Sequence, residues 1–218
     1  MDDEQQRRRP AAAFDALGAE YEKAFASSKT HRRSLKWLLG RLAPGSRVLD
    51  VGSGTGRPTA ETLANAGHEV LGIDVSPVMV DLATRQVPGA SFRCADIRDV
   101  PLADGSFDAV CVCFSLLQLD RREQTAVVRR LVRALTPTGY MVLATVPLDV
   151  EGVDATFMGQ PVRVTSFTAQ DLTAVAEEAG LEVLAQEASM FTPTHPDARP
   201  EPHVFLHCRR RATTAPGV

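Results

Sequence analysis

The sequence predicts an α/β domain built on a doubly wound, mostly parallel sheet. Two observations carry that expectation. From residue 47 onward, short apolar runs alternate with segments of helical period. The first apolar run then breaks, at Gly52-Ser53-Gly54-Thr55-Gly56, into a turn with glycine at alternate positions. Strand–helix alternation of this kind implies right-handed crossovers.

The elements follow in order. Residues 1–10 are charged and expected to be mobile. Phe14, Leu17, Tyr21 and Phe25 recur three or four apart, which predicts a helix over 14–26. A second helix is expected over 31–42, stopped by Pro44-Gly45. Residues 11–43 then form a small N-terminal helical cap on a core spanning 44–210, with a tail over 211–218. Strands are expected at 47–51, 69–73, 91–94, 107–114 and 140–146, and helices at 58–66, 77–86 and 122–134. After Pro147 the rhythm changes. Residues 148–166 read as a loop with a short strand at 161–164, and 168–179 as a helix that Gly180 ends. Strands at 181–188 and 203–208 finish the sheet. The four prolines of 192–202 make that insert an ordered loop or lid.

The 218 residues suit a single domain, and a hydrophobic content of 44% is enough for a sizeable core. A net charge of −3 gives no sign of a nucleic-acid partner. The runs Arg7–Arg9 and Arg209–Arg211 read as solvated ends. No apolar run is long enough to cross a membrane, and the first residues lack a signal-peptide pattern. Cys94, Cys111, Cys113 and Cys208 form no Cys-x-x-Cys pair, which fits a reducing cytoplasm. No metal site is expected.

The glycine turn carries the chemistry. A strand, a glycine turn, a helix start, a second strand and then an acid at Asp74 make a nucleoside pocket. A dinucleotide site wants Gly-x-Gly-x-x-Gly, but here the third glycine comes one residue early and Arg57 takes its place. Asp50 also precedes the turn. A carboxylate repels a pyrophosphate and attracts an ammonium, so the pocket suits a zwitterionic amino-acid tail.

The ordered set Asp50-x-Gly52-x-Gly54-x-Gly56, Asp74 in Gly72-Ile73-Asp74, Asp96 in Cys94-Ala95-Asp96-Ile97, the stretch 102–110 and the stretch 135–141 resembles the class I S-adenosylmethionine-dependent methyltransferases. The resemblance covers about residues 35–210. It implies a seven-stranded Rossmann-like methyltransferase sheet with an antiparallel last strand. It also implies S-adenosylmethionine as cofactor, with S-adenosylhomocysteine as product and no metal. By the same resemblance, the Gly52, Ser53, Gly54 and Gly56 backbone cradles the methionine part, with Asp50 in support. Asp74 takes the ribose hydroxyls, Asp96 and the Ile97 N–H bind adenine, and Val75 and Met79 pack on its faces. Phe114, at a strand end where ligands of such sheets bind, is a further cofactor-binding candidate.

The acceptor side is less legible. Strand four ends Cys113-Phe114-Ser115-Leu116-Leu117-Gln118, which lacks the Asn/Asp-Pro-Pro-aromatic signature of amino-group methyltransferases acting on DNA, glutamine or adenine. This mostly apolar segment, including Ser115, points to an acceptor with an apolar body. Tyr21, Phe25, Phe157 and Met158 are candidates to roof its pocket. His31, His195 and His203 fall in segments that can face the cleft, and are the candidates for a general base. The expected function is methylation of a small organic molecule, a secondary metabolite, by a monomer or homodimer with no nucleic-acid or membrane partner. Two alternatives stand beside it: a methyltransferase acting on RNA or protein, and an enzyme that uses the cofactor without methylating.

Overall fold

The computed structural model describes residues 11–212. The arm 1–10 and the end of the tail therefore lie outside the described residues. Seven strands form one sheet in the order β3-β2-β1-β4-β5-β9-β8. They are β1 (Arg47–Val51), β2 (Glu69–Asp74), β3 (Ser91–Cys94), β4 (Phe107–Cys113), β5 (Leu135–Thr145), β8 (Leu181–Phe191) and β9 (Glu201–Arg210). The first five are parallel, and β9 runs antiparallel between β5 and β8.

Helices cover both faces. They are α1 (residues 11–17), α2 (Ala19–Phe25), α3 (Lys29–Leu39), α4 (Thr59–Asn65), α5 (Pro77–Gln86), α6 (Arg121–Ala134) and α7 (Ala169–Glu178). Alternate residues of each strand feed opposite layers, as the pleat requires. Leu49, Val110 and Met141 join Leu131 of α6 and Leu172 of α7 in one cluster. Val48, Ala109 and Val142 join Leu35 and Leu38 of α3 and Leu63 of α4 in the other. Full burial of one such leucine contributes about 1.5–3 kcal/mol.

Local chemistry sets the boundaries. Gly18 takes φ +48° and splits the expected 14–26 helix into α1 and α2. Ser28 accepts from the His31 N–H at 3.4 Å, so α3 starts at Lys29 and not at His31. Asp120 and Glu123 form a capping box at the head of α6. The region expected to be mostly loop is a hairpin, β6 (Val150–Phe157) and β7 (Gln160–Ser166). Its tip, Met158-Gly159, has positive φ at both residues (+48° and +80°), the two-residue turn that matches strand twist. Strands β8 and β9 extend further toward each other than expected, which leaves 192–200 as their connection.

Two smaller expectations need correction. Arg209 and Arg210 belong to β9, where Arg209 pairs with Glu182 at 2.6 Å and Arg210 bonds the Leu135 carbonyl. Arg210 is thereby half-buried, while Arg209 and Arg211 stay exposed, as a solvated run would be. His68, whose place in the turn Gly67-His68-Glu69 suggests exposure, is 7% exposed because its turn folds back on α4, the His68 N–H donating to the Leu63 carbonyl.

Candidate active site

The glycine turn sits at the carboxyl end of β1, in the middle of the sheet. Gly52 has φ +66°, and a Cβ there would lie 2.1 Å from the Ser115 Cβ. Only glycine fits. The Gly52 and Ser53 N–H groups both donate to the Ile73 carbonyl, at 2.7 and 3.1 Å. The Gly54 N–H donates to Asp74 at 2.8 Å. The turn is thereby stitched to the end of β2.

Asp74 is held from several sides. Its second oxygen accepts from the Ser76 N–H at 2.9 Å. Ser76 in turn caps α5, accepting from the Met79 N–H at 3.0 Å, and its hydroxyl donates to Asp15 of α1 at 2.5 Å. Burial raises the Asp74 carboxyl above the usual carboxylate range, opposed by N–H donation from Ser76, Gly54 and Val75. The Gly54 and Ser76 bonds fall on different oxygens of Asp74, and a carboxylate has about four acceptor sites, so capacity for a further donor remains.

Asp50 lies under the turn, 2% exposed, with Oδ2 unpartnered. Burial, and then the charge of Asp74, push it up to about 7. The hydroxyls of Ser53, Thr55 and Ser115 are also buried without partners. Each such atom costs on the order of 1–3 kcal/mol. A cluster of unsatisfied polar atoms around one turn, beside a cradle that a single Cβ would fill, fits the zwitterionic end of an amino acid. These residues therefore suit S-adenosylmethionine.

A cavity of ≈ 280 Å³ opens above this turn. Its floor includes Gly52, Gly54, Asp74, Val75, Met79 and Ile97, and its far wall Phe114, Ser115, Leu117 and Gln118. Phe14, Tyr21 and Phe25 from the cap and Phe157, Val162 and Val164 from the hairpin roof it. The roof rings interlock, Tyr21 stacking on Phe25 at 4.8 Å and lying 6.3 Å from Phe157. The Thr194 N–H donates to the Ala24 carbonyl at 2.9 Å, which ties the proline-rich connection to α2. Among the described residues, Asp74 and Glu201 are the acidic side chains of the lining, and no Lys, Arg or His lines the cavity.

Several sequence candidates stand behind the wall. Asp50 and Ser53 lie under the turn. Gly56 packs toward Phe92 and Val87. Met158 is 4% exposed in the cluster of Leu17 and Ala24 and props the roof from outside. Asp96 is gripped by Arg98, whose Nε lies 3.0 and 3.1 Å from its two oxygens. Arg98 also pairs with Glu123 at 2.5 Å. Arg130 donates to the carbonyls of Ile97, Arg98 and Val100 at 3.2, 2.6 and 2.6 Å. Helix α6 thus fixes the turn that presents Ile97, while the Asp96 carboxylate is engaged with a guanidinium.

None of the three candidate histidines lines the cavity. His31 bonds Thr59 at 3.0 Å and is pushed down to about 4 by burial and then by His203 and Arg32. His195 accepts from the Asp197 N–H at 3.2 Å within the connection. His203 is 1% exposed and bonds Glu201 at 2.8 Å. Glu201 was not legible as a site residue, because it lies among the prolines of the insert and reaches the cavity only through the β8–β9 pairing. His203 and His207 are four apart in sequence, but on a strand that is about 13 Å. Among the described residues, no three His, Cys, Asp or Glu side chains gather as metal ligands.

Sheet order, glycine turn and buried acids are those of a class I S-adenosylmethionine-dependent methyltransferase domain, and the similarities to known proteins support that class. A family model described as a methyltransferase domain matches residues 48–139. The chain is 33% identical over 139 residues to the demethylmenaquinone methyltransferase of Renibacterium salmoninarum, covering 62% of this chain and 57% of that protein. It thus spans little more than half the length of that curated relative. Among solved structures, the 1,6-didemethyltoxoflavin-N1-methyltransferase of Burkholderia thailandensis, with its substrate and S-adenosylhomocysteine bound, superimposes with TM-score 0.69 at 18% identity, over 97% of this chain and 91% of that one. The [4+2]-cyclase SpnF superimposes with TM-score 0.67 at 21% identity, over 96% and 94%. At these identities the likeness is one of fold.

Proposed function

We propose that this protein, working as a single domain, transfers a methyl group from S-adenosylmethionine to a small organic acceptor with an apolar body, of the secondary-metabolite type. One observation carries this reading. One cavity joins the glycine turn and Asp74 to an aromatic roof and, among the described residues, has no basic residue in its lining. Negative walls suit a cationic donor, and apolar walls suit a hydrophobic acceptor. The demethylmenaquinone and didemethyltoxoflavin enzymes, by their names, act on small molecules, which is in keeping with this.

When bound, S-adenosylmethionine would supply a methyl group on a sulfonium that leaves as a neutral thioether. The chain's own task is then alignment and exclusion of water. The backbone of Gly52 and Gly54, with Asp50, Ser53 and Thr55 beneath, takes the amino-acid end. Asp74 accepts the ribose hydroxyls, and Val75, Met79 and Ile97 enclose the base. Tyr21, Phe25 and Phe157 close over the acceptor and keep water from the reacting carbon. The cytoplasm is the proposed setting, in keeping with four unpaired cysteines. Among the described residues, no helix is long and apolar enough to cross a membrane. The proposed unit is a monomer or homodimer.

The test is incubation with methyl-labelled donor and a small-molecule extract. One extract component should gain the mass of one methyl group while S-adenosylhomocysteine accumulates in equal amount. A second reading is favoured by the superposition on a [4+2]-cyclase: the same cavity can hold the cofactor while a rearrangement occurs. It predicts a changed substrate without any S-adenosylhomocysteine.

A further inference from the structure

Of the two acidic lining residues, Asp74 is committed to the cofactor end, and Glu201 has no role in what precedes. It sits at the start of β9, opposite Phe191, between Pro200 and Pro202. Its side chain is 23% exposed and reaches the cavity. The His203 Nε2 lies 2.8 Å from its carboxylate. A carboxylate only accepts, so Nε2 carries the proton. The His203 ring has little room to turn, with Phe114 at 4.4 Å and Phe191 at 5.2 Å. Its Nδ1 is buried with no partner. Leaving a polar atom so is costly, and a phenylalanine would fill the same aromatic box without that cost. The pair therefore holds a carboxylate in one orientation at the cavity wall.

The geometry points to Glu201 as the group that accepts the proton of the incoming nucleophile, with His203 as its positioning residue. This rests on the methyl-transfer reading above. It narrows the acceptor to an apolar molecule carrying an O–H or N–H nucleophile, neutral or cationic, and excludes carboxylates. The acceptor's lone pair forms the new bond to the methyl carbon, the carbon–sulfur pair returns to sulfur, and the O–H or N–H proton passes to the Glu201 carboxylate. Tyr21 lines the same cavity as Glu201 and Asp74. Burial pushes its phenol well up, and the charges of Glu201, Asp74 and Cys113 add to the rise. The pair also neighbours His31 of α3, whose imidazole is pushed down by burial first and then by His203.

The experiment measures binding, by calorimetry, of 1-naphthol, 1-naphthylamine and 1-naphthoate to protein saturated with S-adenosylhomocysteine. The naphthol and the amine should bind at least about tenfold more tightly than the carboxylate. Glu201→Gln should bring the three within about twofold of each other. His203→Gln, which keeps an N–H donor, should retain the discrimination, and His203→Phe should lose it. Naphthoate binding as well as naphthol, discrimination unchanged in Glu201→Gln, or no probe binding while S-adenosylhomocysteine binds, each overturns the proposal. If a variant fails to fold, the wild-type ranking still decides. Absence of S-adenosylhomocysteine binding strikes the methyl-transfer reading instead.

Discussion

Asp50→Asn should reshape the pH dependence of stability in a calculable way. Burial and Asp74 raise the native carboxyl from an ordinary 3.8 to about 7. Below pH 4 both folded and unfolded chains hold this proton, and the site costs little. Between pH 4 and 7 the unfolded chain ionises while the folded one stays protonated, so stability falls as pH rises. The fall is about 1.4 kcal/mol per unit over about three units, on the order of 4 kcal/mol, and levels off above pH 7. Asparagine has no such proton. Relative to the wild type, Asp50→Asn should therefore gain on the order of 4 kcal/mol between pH 4 and pH 8. Urea unfolding of both proteins across that range measures it. An ammonium near Asp50 favours the ionised form, so S-adenosylhomocysteine binding to the wild type near pH 6 should release a proton, seen as a heat that varies with the buffer. Parallel stability profiles for the two proteins, or no buffer dependence, would refute the assignment of Asp50 to the cofactor's amino end.

Gly52→Ala places a Cβ 2.1 Å from Ser115 and demands positive φ of an alanine, so S-adenosylhomocysteine binding should fall by at least about a hundredfold in calorimetry. Adding Ser115→Gly removes the overlap but not the φ penalty, and should restore part of that loss. Arg130→Ala removes donors from three carbonyls of the turn around Ile97 and should cost about 2 kcal/mol in urea unfolding, with weaker cofactor binding. Phe157→Ala opens the roof and should slow methyl transfer while leaving S-adenosylhomocysteine affinity within about twofold, because Phe157 stands on the hairpin and not on the glycine turn.

What the sequence made legible follows from local physics. Of the parallel strands, β1, β2, β4 and β5 carry apolar runs, so they were readable to within a few residues, although β5 begins at Leu135, five residues before the expected Tyr140, and the short, exposed β3 was placed by its position in the alternation. The acceptor side is built differently. β6 is largely exposed, with Val153 47% exposed, so it lacks the alternation that announces a strand. Its hairpin signal is Gly159 alone, since Met158 is an uncommon residue at positive φ. Glu201 and His203 come together with Phe25 and Phe114 only through tertiary contacts, which no local pattern encodes. The engagement of Asp96 by Arg98 was within reach, two residues apart in sequence, but its bracing by Glu123 of α6 was not.

The claim on which the account stands is that Asp74 grips the sugar of an adenosine bearing the amino-acid tail. Titration of S-adenosylhomocysteine into wild type and Asp74→Ala addresses it directly. The wild type should bind with Kd on the order of micromolar, and the variant at least about tenfold more weakly, a loss of about 1.4 kcal/mol. Equal affinity in the two proteins, or no heat of binding in the wild type, would contradict it.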